Sequence, residues 1–195
     1  MVVVAVLAPL AWLLGTFPTA VLVARAKGRD VLHEGSGNPG ASNVGRVVGW
    51  RWGAVVLVAD FAKGALATGL GLWVGGRPGA YVLGFAAVLG HMFPLYRKGG
   101  KGVAAAGGTL AVLFPAITAG LFVVWLVVAR ALHKASLASL LVTLAFPVAV
   151  ALTGHEVWED AVVAALALLI IGRHAPNIRR LLRRQEIDID TRRTS

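Results

Sequence analysis

The chain has 195 residues, 57% of them hydrophobic and 14% charged, with a mean hydropathy of +0.76. That is too apolar for a soluble domain of this length, and no soluble basic surface remains on which the net charge of +10 could meet nucleic acid. There is no cysteine, which excludes a disulfide framework, a Cys-ligated metal centre and a thiol nucleophile.

Taken in chain order, the apolar runs read as membrane-spanning helices, for which about 20 residues are needed. Residues 2–24 form the first and are followed by Arg25, Lys27 and Arg29. With no basic stretch ahead of it and a run too long for an h-region, this segment reads as a span and not as a signal peptide. A second span starts near Trp52 and stops before GGRPG at 75–79, and a third covers about 80–95. Residues 103–132 are too long for one span and are interrupted near Pro115, which predicts two, the first of them short. A sixth covers about 136–152, and a short seventh runs from about Asp160 to Gly172.

Charge orients these spans, because basic residues concentrate in cytoplasmic loops. With the N-terminus outside, the inner segments hold Arg25, Lys27, Arg29, Arg46, Arg51, Arg97, Lys98, Lys101, Arg130, Lys134 and the arginines of the tail. The outer loops keep Arg77 and the acidic Glu156, Glu159 and Asp160. The prediction is an all-α polytopic membrane protein: one domain, seven spans, N-terminus outside and C-terminus cytoplasmic.

This topology gathers four polar segments on one face: 25–51, 97–102, 133–136 and 173–186. GSGNPGASN at 35–43 offers backbone N–H groups and short amide and hydroxyl side chains, which suits either a phosphate cradle or a flexible connector. Lys101 lies in GGKG, where glycines admit a ligand and the amine supplies a point charge; the plainer alternative is a positive-inside loop. Gly102 stands where a Walker A motif needs a hydroxyl, which argues against a nucleotide triphosphatase. In RHAPNIRRLLRRQE, His174 and Asn177 share a face if helical, while Ile178, Leu181 and Leu182 suggest an interfacial amphipathic helix.

GSGNPGASN followed by Arg46, then GHMFPLYRKGGKGV (90–103), SLAS (136–139) and HAPNIRRLL with Glu186, resemble the bacterial acyl-phosphate:glycerol-3-phosphate acyltransferases, in that family's order and over residues 30 to 186. The resemblance implies a multi-pass enzyme of the bacterial plasma membrane with its site on the cytoplasmic side. It would move an acyl group from acyl phosphate to the 1-hydroxyl of glycerol 3-phosphate, giving lysophosphatidic acid and phosphate. Carried over by position, Ser36, Gly37, Asn38, Gly40, Asn43 and Gly100 would hold the acyl phosphate. Arg46, Lys101, Ser136, His174 and Asn177 would hold glycerol 3-phosphate, with Arg46, Lys101, His174 and Asn177 carrying catalysis. No metal, cofactor, nucleic acid or protein partner is implied; the partners are the two substrates and membrane lipid.

The chain departs from the family pattern at Leu32, at His133, Lys134 and Ala135, at Ala175, and at Arg184, where Gly is common. Asp60 and Lys63, i and i+3 inside the second span, read as a structural ion pair or as lining of the site, and His91 is open in the same way. His155 and Asp160 match an HxxxxD spacing used for acyl-CoA chemistry but fall on the predicted outer side. A carrier for a small phosphorylated anion is the rival reading, weakened by polar clusters at one edge instead of the midplane.

Overall fold

The structure, a computed structural model, describes residues 1–95 and 98–189. Arg97, Arg192 and Arg193, counted above among the inward charges, lie outside the described residues. Every regular element described is a helix: α1 (Val2–Thr16), α2 (Thr19–Arg25), α3 (Ala41–Val47), α4 (Trp50–Met92), α5 (Val103–Leu113), α6 (Pro115–Leu132), α7 (Ala135–Ala151), α8 (Val157–Arg173) and α9 (Ala175–Leu182). By packing, the chain divides into two units, Met1–Leu113 and Phe114–Ser195.

The first predicted span is not one straight helix. Pro18 cannot continue the ladder, so α1 ends at Thr16 and α2 restarts at Thr19. The predicted second and third spans are the two halves of α4, parted by Gly75 and by Gly76 at φ 61°, a left-handed value suited to glycine. The break is shorter than the five-residue loop expected. Beyond it the chain turns back: a Cβ on Gly71 would lie 2.2 Å from the Gly79 carbonyl oxygen, and one on Gly84 2.3 Å from Thr68 Oγ1. These contacts define an antiparallel helical hairpin. Val4 packs against Gly75 and Gly79, while Gly15 meets Ala87 and Gly90 meets Trp12. α1 therefore runs alongside the second half of α4 in the same direction. The polar loops before α3 and before α5 lie at the end opposite the Gly76 turn.

In the second unit Pro115 starts α6 at its first turn, as the break in the hydropathy predicts. Of α6 only Ala129 is buried, and Val123 and Val127 are more than half exposed, as for a helix facing lipid. Trp125 Nε1 donates to Ser139 Oγ of α7 at 3.0 Å. α8 bends by 59° into α9.

Three segments, Val2–Arg25, Trp50–Met92 and Pro115–Leu132, are long and apolar enough to cross a membrane; α8 with α9 qualifies as a bent pair, and α5 and α7 are shorter. Gly64 of α4 and Gly108 of α5 cross at backbone contact, each so close that an added Cβ would lie 1.9 Å from an opposing carbonyl oxygen. Gly64→Ala should therefore lower the Tm of the detergent-solubilised protein by the equivalent of about 1–3 kcal/mol or more. Gly69→Ala, in open space on the same helix, should leave Tm unchanged or raise it; equal behaviour of the two variants would refute the crossing.

Candidate active site

In the first unit the loop leading into α3 is organised around Asn43, which is 1% exposed. Its Nδ2 donates to the Val31 and Glu34 carbonyls, each at 3.0 Å, and its Oδ1 accepts from Ser36 N at 2.8 Å and from Arg46 Nη1 at 3.2 Å. An amide has two donors and one two-lone-pair acceptor. All of them are engaged, so Asn43, expected among the acyl-phosphate ligands, is occupied in holding the loop. Gly35 and Gly37, at φ 60° and 62°, carry the chain around this side chain. Ser36, Gly37, Asn38, Gly40 and Arg46 remain half-buried at the rim or exposed in part.

Outside this knot the loop is tied by exposed pairs. Arg29 pairs with Glu34, and His33 Nδ1 lies 2.7 Å from Asp30 Oδ2. The Arg29 guanidinium, by hydrogen bond and charge, holds the Glu34 carboxyl below its ordinary range. Lys98, read from the sequence only as an inward charge, reaches across: its Nζ lies 3.6 Å from where a Gly37 Cβ would stand. Sequence reasoning had no signal for that approach, because it joins two loops far apart in the chain.

The second motif follows α4. Gly100 N donates to the His91 carbonyl at 3.1 Å, and Gly102, at φ 90°, leads into α5. Lys101 between them is half-buried. Beneath both loops lies a small crevice of about 10 Å³, lined among others by Phe17, Pro39, Asp60, His91 and Gly100. It is water-sized, too small for either substrate. The loop residues that line it show that the first and second motifs adjoin.

In the second unit Glu186 is the hub. Its Oε1 accepts from Asn177 Nδ2 at 2.7 Å and from Ser136 Oγ at 2.9 Å, and its Oε2 accepts from Arg180 Nε at 2.9 Å. Lys134 Nζ donates to the Glu186 carbonyl at 2.5 Å and pairs with Asp188, while Ile189 N donates to the His133 carbonyl at 2.8 Å. The tail is thus strapped to the turn before α7. Two residues expected to bind glycerol 3-phosphate, Ser136 and Asn177, are brought together here by a carboxylate. Asn177 Oδ1 stays buried without a hydrogen-bond partner. His174 caps α8 and opens α9, its Nδ1 2.8 Å from the Ile170 carbonyl. Arg184 takes φ 57°, which explains why glycine suits that position in the family pattern.

His155 Nδ1 lies 2.7 Å from Thr153 Oγ1, and Asp160 Oδ1 is buried without a partner, so the HxxxxD pair does not form a His–Asp couple. Among the described residues no three His, Asp or Glu side chains converge as a metal site would need.

The profile of the family described as glycerol-3-phosphate acyltransferase matches residues 5–184. The chain belongs to the glycerol-3-phosphate acyltransferase family. A glycerol-3-phosphate acyltransferase of Rubrobacter xylanophilus is 38% identical, over 91% of this chain and 90% of that one, and one of Desulforudis audaxviator is 41% identical over 91% of each. The crystal structure of PlsY (YgiH), an integral membrane glycerol 3-phosphate acyltransferase in its glycerol 3-phosphate form, superposes with a TM-score of 0.90 at 35% identity, covering 95% of this chain and 94% of that one. Its lysophosphatidic acid form gives a TM-score of 0.87.

Within this family member, burial raises the Glu186 pKa, but the hydrogen bonds from Arg180, Asn177 and Ser136 outweigh it and leave the group below its ordinary 4.5. A carboxyl with a depressed folded pKa stabilises the fold above its unfolded value, and that contribution is lost as pH falls through the folded value. At pH 7 Glu186→Gln should cost about 1.5–3 kcal/mol. The Tm gap between parent and variant should narrow below pH 4.5. A gap independent of pH would contradict the ionised hub.

Proposed function

We propose that this integral membrane glycerol-3-phosphate acyltransferase transfers a fatty acyl group from acyl phosphate to the 1-hydroxyl of glycerol 3-phosphate on the cytoplasmic side of the bacterial plasma membrane. The reading rests above all on the likeness over 95% of the chain to a structure described in its glycerol 3-phosphate form. Glycine loops, an arginine and lysines at one end of the first unit suit two substrates that both carry phosphate.

The hydroxyl oxygen attacks the acyl carbonyl carbon, the carbonyl–phosphate C–O bond breaks, and the departing phosphate takes the hydroxyl proton. Atoms and charge balance without a protein nucleophile, in keeping with a chain that has no cysteine. Ser36 and Asn38 offer a hydroxyl and an amide side chain to the acyl phosphate, and Gly37, Gly40 and Gly100, without side chains, let it approach the backbone. Arg46 and Lys101 meet the phosphate of glycerol 3-phosphate and stabilise the charge that builds on the leaving group. Asn43 acts by holding Ser36 and Arg46. In the second unit, His174 and Asn177 Oδ1 engage glycerol 3-phosphate, and Ser136 keeps Glu186 in place.

Seven spans with the N-terminus outside remain the topology we favour, counting the halves of α4 separately. The support is the turn at Gly76, which puts Val4 at one end and the polar loops at the other.

Purified protein given glycerol 3-phosphate and a long-chain acyl phosphate should release phosphate and lysophosphatidic acid in equal amounts. Lys101→Ala should lose about a hundredfold or more in turnover, while His155→Ala keeps it. Turnover with acyl-CoA alone would break the donor assignment. Because the chain lacks cysteine, single cysteines report topology directly. His155→Cys should react with an impermeant maleimide in intact cells and Lys27→Cys only after permeabilisation; the reverse pattern would invert the orientation.

A further inference from the structure

Asp60 and Lys63 are 2% and 5% exposed, and the charges sit inside an apolar helix where each is costly unless it does something. Lys63 Nζ lies 2.6 Å from Asp60 Oδ1 and donates to the Phe17 carbonyl at 2.7 Å. That carbonyl belongs to the break between α1 and α2, where the chain has already left its helical ladder. The same Oδ1 lies 3.7 Å from His91 Nδ1, within ion-pair range for a charged ring and long for a hydrogen bond.

His91 is where the buried charges meet the glycine loop. Its carbonyl accepts from Gly100 N at 3.1 Å. Its ring lies against the Cα of Gly100, so that a Cβ there would come within 2.1 Å of Nε2. The crevice that Asp60 and His91 line is also lined by Gly100, next to Lys101, and by Pro39 of the first motif. Helix cohesion alone is a weak account of the pair. A buried ion pair replaced by apolar residues of similar volume often leaves a protein equally or more stable, and α4 already packs through glycine contacts.

We propose that Asp60, Lys63 and His91 form a positioning network that sets the height of the Gly99–Gly102 loop and thereby the place of Lys101. None of the three touches substrate. The ion pair fixes Asp60 against the α1–α2 break, Asp60 orients the His91 ring, and ring and carbonyl together seat Gly100. The proposal rests on the assignment of Lys101 to the phosphate of glycerol 3-phosphate.

The test is steady-state kinetics for each substrate, with Tm, on His91→Gln, Asp60→Asn and the double variant Asp60→Leu with Lys63→Met. Asp60→Asn leaves Lys63 buried and unmatched and should lose thermal stability. The double variant should recover parental Tm, yet its KM for glycerol 3-phosphate should stay raised by about ten- to a hundredfold, since small displacements of a binding group are expensive. His91→Gln, with the ion pair intact, should raise the same KM more than that for acyl phosphate. Parental KM in His91→Gln and in the folded double variant overturns the proposal. Should the double variant not fold, His91→Gln decides alone. Lys101→Met separates the two readings: parental KM there with a raised KM in His91→Gln removes Lys101 from phosphate binding and keeps the network. A raised KM in Lys101→Met with a parental His91→Gln removes the network.

Discussion

Close approach of backbones at glycine is the constraint on which the first unit depends. In hydrocarbon, apolar side chains gain little by leaving lipid for one another, so helices associate through van der Waals contact and small residues that permit it. Gly15 on Ala87, Gly90 on Trp12, Gly64 on Ala105 and Gly108 on Phe61 bring α1, both halves of α4 and α5 to backbone distance. A base made this way has little room to shear. The loops before α3 and before α5 are anchored on that base.

Taken separately, the two units use the same device. Each folds a polar segment around one buried side chain that makes several hydrogen bonds at once: Asn43 gathers Val31, Glu34, Ser36 and Arg46 from within its own loop and helix, and Glu186 gathers Asn177 and Arg180 nearby and Ser136 fifty residues earlier. The division of labour is physical. A group whose donors and acceptors are all engaged shapes the loop, while neighbours left at the rim are available to a ligand. Residues that carry a motif are therefore of two kinds, and the motif alone does not separate them.

That distinction marks how far the sequence was legible. The apolar runs and the breaks at Pro115 and after Arg25 follow from hydropathy and proline, and helices stand where those signals put them. The α1–α2 break at Pro18 and α3 inside the polar loop leave no mark in the pattern, because a hydropathy window averages over a single proline and a seven-residue helix has no periodic trace. The motifs named segments, and spacing could not say that Asn43 faces inward or that Ser136 and Asn177 share a carboxylate. Glu186 was visible only as the end of a motif, and Lys98 only as a charge. Their roles come from contacts spanning tens of residues, which no local pattern encodes.

The first half of α4 is bracketed by Trp50 and Trp73, 71% and 82% exposed. Tryptophans of this kind settle at the two boundaries between lipid and water. The rise between them is about 35 Å, a few ångströms more than a hydrocarbon core of about 30 Å. Rings at that spacing suit such a bilayer, and a misfit arises as the surrounding lipid chains shorten, to be met by tilting or by a locally thicker bilayer. The length of the chains an acyltransferase installs is also what sets bilayer thickness, so the membrane it helps to build feeds back as a mechanical load on its own scaffold.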